Sequence, residues 1–166
     1  GNLKYSQAEL ENLELKKNLK KFLSNKKTWC ASSTHHPEEL FVAQAHKVLK
    51  KNTKNLITII IPRHIERTNE IAQMLDKKKL RFNKHSENKK NLKNCDIYIV
   101  DSYGENKSFY KISNVVFLGG SLVSKGGQNP LEALRFGCNV LHGNYTFNFK
   151  DVYKMLEKEK LSLKVR

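Results

Sequence analysis

Six consecutive residues, Leu56-Ile57-Thr58-Ile59-Ile60-Ile61, are apolar on both faces of an extended chain and rich in β-branched side chains. A strand of this kind must be covered on both sides, which suits the centre of a parallel sheet between two helical layers and excludes a sheet with one wet face. Pro62 ends the run. Shorter strand-like runs are Thr28-Trp29-Cys30-Ala31-Ser32, Leu80-Arg81-Phe82, Ile97-Tyr98-Ile99-Val100-Asp101, Val115-Val116-Phe117-Leu118 and Asn139-Val140-Leu141. Helical spacing appears between them: about Ser6 to Leu23, with Leu10, Leu13, Leu19, Phe22 and Leu23 on one face, then Ile65 to Leu75, Leu131 to Phe136 before Gly137, and Val152 to Leu156. Pro37-Glu38-Glu39 starts another helix, which continues through Phe41, Val42, Ala45, Val48 and Leu49, with its acids near the positive end of the dipole. The alternation predicts an α/β fold, a Rossmann-like three-layer α/β/α domain with a mainly parallel sheet. With 166 residues and 39% hydrophobic content, residues 1–166 are expected to form one domain.

In such sheets ligands bind at the carboxyl edge, so the loops that follow strands carry the candidate site. Gly119-Gly120-Ser121 and Gly126-Gly127 lie before a helix start at Asn129-Pro130. Glycines let backbone amides approach a ligand, and a helix amino end offers N–H groups to phosphate, so this block is expected to seat a nucleotide phosphate. Glu132, one turn into the helix, suits the vicinal hydroxyls of a ribose; a solvated first-turn glutamate is the plainer alternative. Arg63 follows the buried strand directly and is suited to a fork on phosphate or pyrimidine, or to an ion pair with Glu66, an alternative that Arg67 shares. His35, His36 and His64 come from separate loops without acidic or thiol partners at ligand spacing, so no metal is expected. No Gly-x-Ser-x-Gly elbow supports a serine hydrolase. Cys30, Cys95 and Cys138 are widely spaced beside apolar residues, which predicts buried free thiols and a reducing compartment.

The formal charge of +15 arises from 31 Lys and Arg against 16 Asp and Glu, and most of the excess is lysine. Lysine attracts anions without fixing geometry, so the charge fits a solvated surface, an anionic membrane face or nucleic acid. The lysine runs lack the interleaved aromatics of a nucleic-acid surface, and nucleic acid is not expected as a partner. No apolar run reaches the about 20 residues of a membrane span, and the chain does not open on methionine, so it is expected to be a soluble piece of a longer protein.

These loops, in this order, resemble the 3-deoxy-D-manno-octulosonic acid (Kdo) transferases of lipopolysaccharide biosynthesis. The resemblance rests on Gly1-Asn2-Leu3-Lys4, Ala31-Ser32-Ser33-Thr34-His35 with Glu38-Glu39, Pro62-Arg63-His64 with Glu66-Arg67, and Asp101-Ser102-Tyr103-Gly104-Glu105. It continues in Phe117-Leu118-Gly119-Gly120-Ser121-Leu122-Val123, Gly126-Gly127-Gln128-Asn129-Pro130-Leu131-Glu132 and Thr146-Phe147-Asn148-Phe149. The resemblance implies the second half of a GT-B glycosyltransferase, a carboxy-terminal domain that binds CMP-Kdo. An amino-terminal domain, outside this chain, would bind the lipid A precursor and supply the catalytic base. It also implies that Pro62, Arg63, Tyr103, Gly104, Glu105, Asn129, Pro130, Leu131 and Glu132 hold CMP, with Ser33, Thr34, His35, Gly120, Ser121, Gly127 and Gln128 as further contacts. Lys4 would stabilise charge on the departing phosphate. No cofactor is implied beyond the donor, and the whole enzyme would work at the cytoplasmic face of the bacterial inner membrane, held there in part by its lysines. Gln128 stands where the family has histidine, Pro37 where it has glycine, Ile65 where it has proline, and Asn144-Tyr145 where it has Pro-His. A UDP-sugar transferase of the same architecture and a basic nucleic-acid module are the competing readings.

Overall fold

The computed structural model describes residues 15–87, 92 and 94–166. Within them the order is α1 (Lys17–Leu23), β1 (Lys27–Thr34), α2 (Glu38–Lys50), β2 (Leu56–Pro62), α3 (Thr68–Lys77), β3 (Phe82–Lys84), β4 (Ile97–Ile99), α4 (Asn106–Lys111), β5 (Val115–Leu118), α5 (Leu131–Arg135), β6 (Asn139–His142), α6 (Lys150–Lys158) and β7 (Ser162–Lys164). Among the described residues these strands make one seven-stranded sheet in the order β3-β4-β2-β1-β5-β6-β7. Every neighbouring pair is parallel. All strand carboxyl ends therefore lie on one edge.

β2 shows why both faces must be covered: all seven of its residues are buried. Ile57, Ile59 and Ile61 pack on one side with Leu19, Leu23, Phe109, Tyr110, Ala133 and Tyr153, which belong to α1, α4, α5 and α6. Ile60 packs on the other with Val42, Ala43, Ile71 and Leu75 of α2 and α3. Side-chain alternation along a single strand thus feeds two separate cores.

Several expected elements differ in extent. The Ile65 helix opens with a 3-10 turn, Ile65–Arg67, before α3 begins. The Leu80-Arg81-Phe82 strand is shifted to Phe82–Lys84, and Val100 and Asp101 lie beyond β4. α4 and β7 have no counterpart in the sequence reading. On α2 the inward residues are Glu38, Glu39, Val42, Ala43 and His46, while Phe41, Val48 and Leu49 are exposed. Phe41, Ala45 and Val48 line one side of an open depression of about 650 Å³, with Leu122, Tyr145 and Arg166 opposite. No helix of the described residues is long and apolar enough to cross a membrane.

The three cysteines are free and buried. Burial pushes the Cys95 and Cys138 thiols up to about 11 and raises Cys30 as well. Two histidines are also fully buried. The His142 ring bonds the Gly143 carbonyl at 2.8 Å, and the His46 ring bonds Thr58 Oγ1 at 2.8 Å. Burial holds both below the ordinary histidine pKa, outweighing the upward pull of Gly143 and Glu157 on His142 and of Asp96 on His46. An unfolded histidine protonates near about 6.5, so below that pH the unfolded chain binds more protons than the folded one and stability falls as pH drops. The urea midpoint should therefore decrease between pH 7 and pH 5.5. The decrease should be smaller in His142→Asn, and an equal slope in both proteins would contradict this account.

Candidate functional site

β1 lies between β2 and β5. The chain leaves β1 toward α2 on one face of the sheet and leaves β5 toward α5 on the other, so a crevice opens between these two strand ends. Backbone bonds tie its walls together: Gly119 N donates to Ser32 O at 2.8 Å and Arg63 N to Thr34 O at 3.0 Å. A side chain at Gly119 would collide with the Ser33 carbonyl and Thr34 Cα, so only glycine lets the two loops approach this closely. Ser33 adopts φ 56° at the point where the β1–β2 register shifts, which turns the strand end outward.

The amide-rich glycine loop is already occupied from within. The fully buried Glu38 carboxylate accepts N–H bonds from His35 at 2.8 Å and Gly120 at 2.9 Å through one oxygen, and from Ser121 at 3.1 Å and Leu122 at 3.0 Å through the other. Two further amides of the block are also used. Gly127 N donates to Gly120 O at 2.9 Å, and Leu131 N donates to Asn129 Oδ1 at 3.0 Å. The amides of Gly120, Ser121, Gly127 and Leu131 are thus bonded within the chain itself, and α5 is only five residues long. Glu39 beside Glu38 is buried and held by Thr34 Oγ1 at 2.8 Å and by the fork of Arg67 at 2.7 and 3.1 Å. Arg67 also reaches Glu70 at 3.3 Å, so its ion pairs are with these two carboxylates rather than with Glu66.

Positive charge remains at the mouth. Arg63 is exposed, and its guanidinium has no partner among the described residues; the pairing with Glu66 is replaced by a Tyr103 hydroxyl bond to Glu66 at 3.2 Å. The His35 and His64 rings meet edge to face at 5.6 Å. Burial holds His35 below its ordinary pKa against the pull of Glu38, and His64 and Lys125 add to the lowering. Lys125, absent from the sequence-predicted set, thus stands near the same ring, against which a side chain at Gly120 would also press.

On the α4 side, Asn106 Nδ2 donates to Ser32 Oγ at 3.0 Å, and Ser32 Oγ shares a 2.7 Å bond with the Tyr110 hydroxyl. Glu132 is half exposed and 3.8 Å from Lys107. Glu105 lies 3.8 Å from the His85 ring, and Tyr103 is exposed. Gln128 is anchored by its carbonyl, which accepts the Tyr153 hydroxyl at 2.6 Å. Pro62 is buried at the end of β2 and Gly104 has φ 80°. Contacts thus run along the edge from Tyr103 to Glu66, from His64 to His35, and from His35 to Gly120. Lys4 lies outside the described residues.

The chain is similar to known proteins. The chain is 38% identical over 94% of its length to the 3-deoxy-D-manno-octulosonic acid transferase of Haemophilus influenzae, covering 37% of that protein. This chain is a homologue of the Kdo transferases. It is also 34% identical over 99% of its length to a bifunctional glycosyltransferase/methyltransferase of Fusobacterium nucleatum, covering 26% of it. The crystal structure of the C-terminal CMP-Kdo binding domain of WaaA from Acinetobacter baumannii has the same Rossmann-like fold, with a TM-score of 0.85 at 27% identity, over 97% of this chain and 83% of that one. No family model matches the chain. This Kdo transferase homologue spans little more than a third of the Haemophilus relative.

Arg67 secures Glu39 at 3% exposure while itself only 18% exposed. Arg67→Ala should therefore cost about 3–5 kcal/mol in urea unfolding, because it strands a buried charge. Arg67→Lys should recover only part of that loss, since one ammonium cannot replace the fork. A loss below about 1 kcal/mol for Arg67→Ala would show the pair to be dispensable.

Proposed function

We propose that this chain binds CMP-Kdo as the donor half of a Kdo transferase. The observation that carries the proposal is the agreement in fold, across nearly the whole chain, with a domain named for CMP-Kdo binding. The crevice offers chemistry suited to it. Arg63 supplies a fork for phosphate, Lys125 a second positive charge, and Glu132 and Glu105 carboxylates able to accept from sugar hydroxyls.

In the whole enzyme, a hydroxyl of the lipid A precursor would attack the anomeric carbon of Kdo while CMP departs, inverting the configuration. A carboxylate of the acceptor-binding domain would take the hydroxyl proton, and Lys4 would steady the phosphate of departing CMP. The 166 residues by themselves would bind donor without transferring it. The lysine excess would hold the enzyme against the anionic cytoplasmic face of the inner membrane. Vesicles with anionic lipid should then retain the chain at low salt and release it at high salt; indifference at low salt would remove the membrane role.

The donor reading is tested by titrating CMP into the isotope-labelled chain, with UMP as comparison, and following backbone amides by NMR. Shifts should gather at Arg63, Tyr103–Glu105 and Asn129–Glu132, with CMP the tighter ligand. Arg63→Ala should weaken CMP by about tenfold, as for a lost charge-assisted contact, while leaving thermal stability unchanged because Arg63 is exposed and unpaired among the described residues. Tighter binding of UMP would favour a UDP-sugar enzyme, and saturable transfer of Kdo by this chain alone would refute the division of labour.

A further inference from the structure

Glu38 takes the place that a ligand anion would otherwise have. Consecutive amides of Gly120, Ser121 and Leu122, joined by that of His35, converge on its carboxylate at 2.8–3.1 Å, two on each oxygen. A ring of inward-pointing N–H groups at the carboxyl edge of a parallel sheet is the usual seat of a nucleotide phosphate. Here the seat is filled by a side chain from the first turn of α2, and that side chain is fully buried. The neighbouring buried carboxylate, Glu39, has its own cation in Arg67, whereas the bonds that Glu38 receives come from uncharged amides. The Glu38 carboxylate therefore lies buried beneath the glycine loop, while Arg63 and Lys125 are exposed on the loops beside it.

We propose that Glu38 is a specificity-determining residue that limits the donor to a single phosphate. One phosphate at the mouth meets Arg63 and Lys125. A second phosphate running inward toward the glycine loop finds the amides of His35, Gly120, Ser121 and Leu122 already bonded to Glu38, whose charge repels it from beneath the loop. Sugar nucleotides with a diphosphate are rejected and those with a monophosphate are accepted. The proposal rests on the donor-binding reading for its ligand, but the occupied seat can be examined without any nucleotide.

The test has two arms. First, CMP and CDP are titrated into the unaltered chain and into Glu38→Gln, which removes the charge and turns one of the two acceptor positions into an amide NH2. The unaltered chain should bind CMP about tenfold or more tightly than CDP, and the ratio should shrink several-fold in E38Q. Equal affinity of the unaltered chain for the two nucleotides would overturn the proposal. Second, inorganic phosphate is titrated into the unaltered chain and into Glu38→Ala, with the amides of His35, Gly120, Ser121 and Leu122 as reporters. Those amides should ignore phosphate in the unaltered chain and shift saturably in E38A. Shifts of equal size in both proteins would show that the seat was never closed. If neither CMP nor CDP binds, the donor reading fails, and the phosphate arm still decides whether Glu38 fills an anion seat. If E38A does not fold, the change in the CMP-to-CDP ratio between the unaltered chain and E38Q decides, and an unchanged ratio would overturn the proposal.

Discussion

Parallel pairing is the constraint from which the rest of the molecule follows. Because β1, β2, β4 and β5 all point the same way, their carboxyl ends and the polar loops after them must share one edge. Each connection must then cross back over a face of the sheet, which requires helices on both sides and explains why β2 is apolar throughout. The change of face between the exits of β1 and β5 opens a crevice without any special side chain. What the side chains decide is the chemistry of that crevice.

Here the local sequence works against the plainest expectation for a glycine-rich loop. Gly119 is required by the closeness of Ser33 and Thr34, a matter of packing, while the amides after it serve Glu38. The same carboxylate joins the start of α2 to the exit of β5, two elements that are distant in the chain and adjacent in space. Glu39, held by Arg67 and Thr34, ties that helix start to the loop after β2. A pair of adjacent acids thus binds three strand exits into one frame, and the exposed Arg63 and Lys125 are carried on it.

Much of this was legible in the sequence, for identifiable reasons. The Leu56–Ile61 run and Val115–Leu118 declare themselves because a strand buried on both faces has no polar positions to blur the pattern. β7 was missed because Ser162-Leu163-Lys164 is an edge strand with an exposed leucine, and nothing in its composition distinguishes it from a loop. α4 was missed because its buried residues, Ser108, Phe109 and Tyr110, are adjacent and do not follow a helical spacing. The loops after β1, β2 and β5 share the edge where the strands end, but the role of Glu38 could not be read. Acids in a first turn are normally explained by the helix dipole, and only the fold shows that this one points into another loop.

The hidden thiols have a practical side. Cys30, Cys95 and Cys138 are all buried, and their raised pKa values leave almost no thiolate at neutral pH. To a thiol-directed dye or spin label the folded chain is blank. One cysteine introduced on the exposed loop around Tyr145 would be labelled alone, without first removing the native three, so the depression beside α2 can be watched in solution through a probe of chosen position.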